Sequence, residues 1–108
     1  MDKMEYRIRM GVLRTAIGPK ELFEDFVKNG INEAKGAILK ALKENPEGLD
    51  YLQLENLVME FFSDKEGKND AWKQDAFMVA LAGLELEDDE IKDESGIYTL
   101  LNKEMQGG

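Results

Sequence analysis

The chain of 108 residues contains no cysteine and no histidine, and these two absences exclude much enzyme chemistry. A thiolate–imidazole pair, a serine–histidine–aspartate triad and a zinc site with the usual ligands all need one of these residues. Serine and threonine are also scarce, with two of each. Aspartate and glutamate can act as general acid and base, but no spacing in the sequence singles out a pair. The sequence therefore predicts a protein that is not an enzyme.

Acidic residues are abundant enough to raise the question of a metal site. The run Glu87–Glu90 supplies carboxylate oxygens of the kind that Mg²⁺ and Ca²⁺ bind. The segment DKEGKND at residues 64–70 departs from a calcium-binding loop, because its glycine is at the fourth position instead of the sixth and lysine is at the fifth. We therefore expect a solvated acidic surface, with no metal and no cofactor.

Long hydrophobic runs are absent as well. The longest apolar stretch, Phe77–Leu84, has eight residues, whereas a membrane-spanning helix needs about 20. The first twelve residues contain no apolar core of the kind found in a secretory signal, and the lack of cysteine fits a reducing compartment. The sequence predicts a cytoplasmic protein that does not associate with a membrane.

The chain is long enough for one domain with a hydrophobic core. A chain of 12.3 kDa buries roughly 65% of its extended surface when it folds. Its hydrophobic fraction of 43% separates it from disordered sequences. Charge is unevenly distributed: residues 1–43 carry a net +3 and residues 44–108 a net −12, which sum to the formal charge of −9.

All three arginines, Arg7, Arg9 and Arg14, lie in the first fourteen residues. Together with the charge split, this placement predicts a basic arm attached to an acidic body. Two arrangements are open at this point. The arm either folds back onto its own acidic domain or contacts an external acidic partner such as nucleic acid.

Residues 1–31 form the basic N-terminal extension in this interpretation. Apolar residues alternate with other residues over Tyr6–Val12, which predicts a short strand with one apolar face; a helix over Met4–Ile17 is the alternative. An apolar strand needs a cover, so we expect it to pair with the chain's own hairpin or with its copy in a homodimer. A short helix then begins at Pro19 and ends at Asn29-Gly30.

Residues 32–108 are predicted to form an acidic domain with three helices and a β-hairpin. The first helix is capped by Asn32 and ends before Pro46, the second covers 52–62 and the third runs from about residue 70 to 84. Two short strands around a turn at 94–96 follow. This is the element order of a winged helix. The predicted fold class is mainly α with a small β-hairpin (α+β), with a winged-helix-like three-helix core and an N-terminal extension of one strand and one helix.

Two sequence segments suggest a family. The segments AILKALKENPEGLDYLQLENL and FMVALAGLELEDDEIKDESGIYTLL resemble the HARE-type winged helices, which include the N-terminal domain of the delta subunit of Gram-positive RNA polymerase. The matching features are Leu49-Asp50-Tyr51 at the start of the second helix, Leu81–Leu86 at the end of the third, and Ile97–Leu100 as the last strand. The resemblance covers about residues 34–101 and implies a winged-helix fold there. Residues 1–31 have no counterpart in it.

The third core helix and the hairpin of a winged helix often bind DNA, and here their charges oppose that role. The predicted outward face of the helix carries Gln74, Met78 and Ala82, with no cation to contact phosphate. The wing adds four consecutive acids, which are Glu87, Asp88, Asp89 and Glu90. Because cationic side chains supply most non-specific affinity for DNA, we expect this surface to repel a duplex.

The sequence thus favours a non-catalytic interaction module that regulates or inhibits nucleic-acid-handling machinery. The predicted protein-binding surface comprises the third-helix face and the acidic wing described above, and its partner would be a protein with a basic surface. The alternative is a DNA-binding transcriptional regulator in which Arg7, Arg9 and Arg14 contact phosphates or a minor groove.

Overall fold

The computed structural model describes residues 2–62 and 70–101, without the side chains of residues 62 and 70–72. The loop predicted over residues 63–69 and the tail from residue 102 lie outside the described residues. The described chain is mainly helical with a small antiparallel sheet, which confirms the predicted fold class. Its elements are α1 Lys3–Ile17, α2 Lys20–Phe26, α3 Asn32–Glu44, β1 Leu49–Asp50, α4 Tyr51–Phe62, α5 Asp70–Leu86, β2 Ile91–Glu94 and β3 Ile97–Leu100.

The sheet has the strand order β1-β3-β2, with both pairings antiparallel. Strands β2 and β3 form the predicted hairpin, in which Glu94 lies opposite Ile97. Ser95 and Gly96 make the two-residue turn and both have positive φ, 55° and 85°, as a hairpin turn that follows the strand twist requires. From α3 onward the element order is the one predicted for a winged-helix-like core.

The core lies where α3, α4 and α5 meet the sheet. Its largest fully buried side chains include Ile38 from α3, Leu54 from α4, Phe77 from α5 and Ile91 from β2. Helix α5 is buried around most of its circumference because it contacts α1, α3, α4 and β2. Small residues on α5 let these neighbours approach closely, and the buried ones are Ala76, Ala80, Ala82 and Gly83.

The prediction of a strand over Tyr6–Val12 is wrong, because this segment lies within α1. The Asp2 side chain caps the helix by accepting a hydrogen bond from the Glu5 backbone N–H at 2.8 Å. Gly18 ends it with φ 86° and donates its N–H to the Arg14 carbonyl. The helical alternative has the correct period, because the side chains that pack on the core recur every three or four residues: Tyr6, Met10, Leu13 and Ile17.

The predicted helix end at Asn29-Gly30 and the predicted cap at Asn32 are also wrong. A π-helical turn over Val27–Ile31 joins α2 to α3, and Asn32 has helical backbone angles with no capping side-chain bond. The wider turn lets Phe26 and Ile31 both enter the core. The helical run from α2 to α3 is therefore continuous across the boundary predicted after residue 31, because burial of these side chains outweighs the tendency of Asn-Gly to stop a helix.

We expect opposite effects from the same glycine-to-alanine substitution at two positions. Gly48 has φ 101°, and a Cβ there would lie 2.5 Å from the Ile97 Cγ2 atom and 3.0 Å from the Tyr98 carbonyl oxygen. Gly48→Ala should lower the free energy of unfolding by roughly 2–4 kcal/mol. Gly36 lies within α3 with open space around it, so Gly36→Ala should raise that free energy by up to about 1 kcal/mol. Urea denaturation measures both, and equal effects would contradict the close turn-to-β3 contact.

Candidate interaction surface

The predicted α5 face is only partly available to a partner. Gln74 is exposed and Met78 is half-buried. Ala82 is buried, with 8% of its surface accessible, so the expectation that it is exposed is wrong. Helix α1 packs on α5, with the Tyr6 hydroxyl beside the adjacent Gly83, an arrangement that a terminal strand would not have produced. Of the three residues predicted on this face, Gln74 alone is fully exposed.

Three contacts show how α1 lies on α5. The Arg9 Nη1 atom donates to the Met78 sulfur at 3.0 Å. The Arg7 Nε atom lies 3.9 Å from a Glu87 carboxylate oxygen, in a pair whose side chains are both well exposed. The Tyr6 hydroxyl lies beside Gly83, where a Cβ would approach it to 3.1 Å. The basic arm thus folds back onto its own acidic body, which is the first of the two arrangements that the sequence left open.

The acidic run predicted for the wing lies in the turn between α5 and β2, before the hairpin itself. Within this run the Asp88 carboxylate pairs with the Lys35 ammonium of α3 at 2.8 Å. Glu90 is half-buried and its backbone bonds to Leu84 and Leu101. Asp89 is exposed with φ 52°. The run therefore anchors the turn to α1 and α3 as well as presenting charge to solvent.

The hairpin tip adds exposed charge next to this run. The Lys92 ammonium pairs with the Glu94 carboxylate at 2.8 Å, and this pair lowers the pKa of Glu94 through its hydrogen bond. Asp93 is exposed and accepts a hydrogen bond from the Gly96 N–H at 2.9 Å, which fixes the tip. Asp93, Asp89 and Glu94 together make the α5–β2 turn and the hairpin tip predominantly negative.

A small cleft of about 180 Å³ separates α5 from the start of α4 and from β3. Its lining is mostly apolar and includes Tyr51, Met78, Leu81, Ala82, Glu85, Leu86 and Tyr98. The Tyr51 ring packs edge-on against the buried Phe77 ring, with centroids 5.2 Å apart, so the wall on the α4 side is fixed by the core. Arg9 reaches the edge of the cleft through its contact with Met78.

Burial and like charge set the electrostatics of this cleft. Burial raises the pKa of Tyr98 to about 12, and the nearby Asp93 and Glu85 carboxylates add to the effect. Burial, followed by the charge of Asp93, also raises the pKa of Glu85. The cleft thus has the Glu85 and Asp93 carboxylates on the side of Tyr98 and the Arg9 guanidinium on the side of Met78. Its apolar walls and acidic rim suit a side chain with an aliphatic stem and a positive end, such as arginine or lysine.

No protein-family model, no curated protein and no solved structure matches the chain. Within residues 2–62 and 70–101, no three aspartate or glutamate side chains are grouped as metal ligands. No helix in the same residues is both long enough and apolar enough to cross a membrane.

The cleft is the feature that sequence reasoning missed. Tyr51 and Tyr98 are far apart along the chain, and the pairing of β1 with β3 brings their elements together. Periodicity assigns residues to faces within one element and gives no signal for a cavity between three elements. The packing of α1 on α5 did have a signal in the sequence. Tyr6 and Met10 are four residues apart, as expected for side chains on one face of a helix that packs on the core.

We expect the tyrosines to titrate late and the fold to lose stability at alkaline pH. Tyr6, Tyr51 and Tyr98 all have raised pKa values, chiefly because they are partly buried. A folded-state pKa of about 12 for Tyr98, above the usual value of about 10, means that its contribution to stability is complete below pH ~10. That contribution is lost as pH rises toward 12.

Absorbance of the phenolate gives the titration, and denaturant unfolding at each pH gives the stability. Tyr98→Phe should remove the latest step and flatten the fall in stability between pH ~10 and ~12. Three tyrosines that titrate together near pH ~10 in the folded chain would contradict the buried setting of Tyr98.

Proposed function

We propose that this protein is a non-catalytic, cytoplasmic interaction module that regulates or inhibits nucleic-acid-handling machinery by binding a basic surface on a protein partner. The binding surface comprises Gln74 and Met78 on α5, the α5–β2 turn with Glu87–Glu90, the hairpin tip, and the cleft beside Tyr98. The winged-helix-like core carries these parts on α5 and on the turn and hairpin that follow it. The resemblance to the HARE-type domains remains part of this proposal.

The observation that carries the proposal is the joining of an apolar cleft to an acidic rim. Glu85 lines the cleft, and both Glu85 and Asp93 of the hairpin act with burial to raise the pKa of Tyr98, which supports treating the cleft and the hairpin as one surface. Complementary charge speeds association and selects partners more than it strengthens binding. An apolar cleft provides a site where a cationic side chain can also bury its stem. A basic protein surface fits both features.

Charge removal at the rim tests the proposal. Asp89→Asn with Glu94→Lys changes two exposed side chains, and asparagine tolerates the positive φ of Asp89. The matched control, Glu47→Gln with Glu21→Lys, makes the same charge change at exposed positions outside the surface. Partner proteins captured from the native cell extract should be lost with the first variant, through a slower association rate with a weaker salt dependence, and retained with the control. Equal capture by both variants would contradict the proposed surface.

The alternative, DNA binding through the N-terminal arginines, has weaker support because Arg7 pairs with Glu87 in the α5–β2 turn and Arg9 contacts Met78 on α5. Arg14 lies exposed in the last turn of α1. We expect duplex DNA at ~0.15 M salt to bind no better than roughly 10⁻⁴ M. Sub-micromolar binding that weakens uniformly in Arg7→Ala, Arg9→Ala and Arg14→Ala, with the salt slope reduced by about one in each, would favour the alternative. Fluorescence anisotropy with a labelled duplex measures both quantities.

A homodimer formed through the N-terminal segment also belongs to the proposal. Pairing of strand edges cannot form it, because the segment is helical. A contact between copies through this segment would therefore use a face of the α1 helix.

A further inference from the structure

Helix α1 is apolar on two opposite faces. Its inner face packs on the core through Tyr6, Met10, Leu13 and Ile17. Its outer face exposes Met4, Ile8 and Val12, with 72%, 61% and 60% of their surfaces accessible. Residues four apart lie on the same side of a helix, so these three form one stripe.

The outer face of α1 carries no charge. At 100° per residue, Gly11 and Thr15 lie on the same side as the Met4–Ile8–Val12 stripe, and the Thr15 hydroxyl donates to the Gly11 carbonyl at 3.0 Å. The charged residues of α1 lie on its two flanks. A solvent-facing helix side is ordinarily polar, and 15-residue helices have little stability of their own in water. The stripe therefore has the character of a contact surface.

We infer that the occupant of this surface is a second copy of the chain, bound with its α1 antiparallel to the first. Glu5 and Arg9 lie on one flank of the stripe, one turn apart, and with Ile8 and Val12 they line a shallow groove of about 350 Å³. In this dimer the two-fold axis passes between the two α1 helices beside Ile8 and is perpendicular to both. It places the Glu5 and Arg9 flank of one copy against the same flank of the other. Glu5 of each copy then lies within ~3 Å, along the helix axis, of Arg9 of the other.

The charges favour this orientation over the parallel one. Rotation about an axis along the helices would place the Glu5 and Arg9 flank against Arg7 and Arg14 of the second copy, so that three cations would face one anion. The antiparallel pair places each Glu5 carboxylate beside an Arg9 side chain of the other copy, and the Nη1 atom of that Arg9 keeps its contact with Met78 of its own chain. Rim pairs of this kind fix orientation more than they add affinity. One helix per copy gives less than the roughly 1,600 Å² of a standard interface, so we expect a weak dimer with a micromolar dissociation constant.

This inference deepens the self-association part of the proposed function, and it can fail separately from the wing. Binding of a basic partner uses the cleft and the hairpin, and α1 pairing uses the outer face of α1; Arg9, which contacts Met78 at the cleft edge, lies near both, whereas Ile8 belongs to the α1 face alone. An Ile8 variant that no longer dimerises should still capture that partner. Loss of both activities in the same variant would indicate unfolding, which circular dichroism detects.

Sedimentation equilibrium of the full chain over a wide micromolar range tests the dimer. Ile8→Asp should raise the dissociation constant at least about tenfold, because a carboxylate would be buried against its own copy. Leu52→Asp is the matched control, since Leu52 on α4 is 63% exposed, close to the value for Ile8; it should leave the dissociation constant unchanged. A chain that stays monomeric throughout, or one that both substitutions weaken equally, would overturn the inference.

Single cysteines in this cysteine-free chain test the orientation. An antiparallel pair about Ile8 brings the two copies of residue 8 together and leaves the two copies of residue 4 ~12 Å apart along the axis. A disulfide needs Cα atoms within about 7 Å. Ile8→Cys should therefore cross-link under mild oxidation, Met4→Cys alone should not, and an equimolar mixture of Met4→Cys with Val12→Cys should. Rapid self-linking of Met4→Cys would show a parallel pair and overturn the proposed geometry.

Discussion

The packing of α1 on α5 is the contact on which the rest of the surface depends. It places Arg9 beside Met78, Arg7 beside Glu87 and the Tyr6 hydroxyl beside Gly83. The ion pair is exposed and contributes at most about 1 kcal/mol, so the apolar inner face of α1 supplies most of the stabilisation. Since none of its side chains is fully buried, α1 is held less firmly than the core helices. Gly18 and Pro19 define the point at which it joins them.

The same contact decides which functions the arginines can perform. While α1 lies on α5, Arg7 offsets the charge of Glu87 and Arg9 contacts the Met78 sulfur, so neither guanidinium is directed away from its own chain. Asp88 is likewise held by Lys35. Glu94 is paired with Lys92 in the same way. The acidic surface that faces outward is therefore smaller than the sequence suggests, and it centres on Asp89 and Asp93. A compact negative site beside an apolar cleft is better suited to a cationic side chain than to a nucleic acid.

The sequence predicts the core of this protein well and its N-terminal part poorly, for physical reasons. Helix α3, helix α5 and the Ser95-Gly96 hairpin have strong local signals: helical apolar spacing and a turn that needs positive φ. In contrast, the alternating pattern of Tyr6–Val12 arises because α1 is apolar on both sides, and this imitates a strand. The π turn at Val27–Ile31 overrides the Asn-Gly signal through burial. The cleft beside Tyr98 depends on β1–β3 pairing, which local patterns do not encode.

One measurement tests the central claim that α1 is a helix packed on α5. In the nuclear Overhauser spectrum of the full chain, the Met78 methyl group should show cross-peaks to Arg9 side-chain protons, and Tyr6 ring protons should show them to Gly83. The amides over Lys3–Ile17 should have helical chemical shifts. Random-coil shifts over Lys3–Ile17, with no cross-peaks from this segment to α5, would contradict the account.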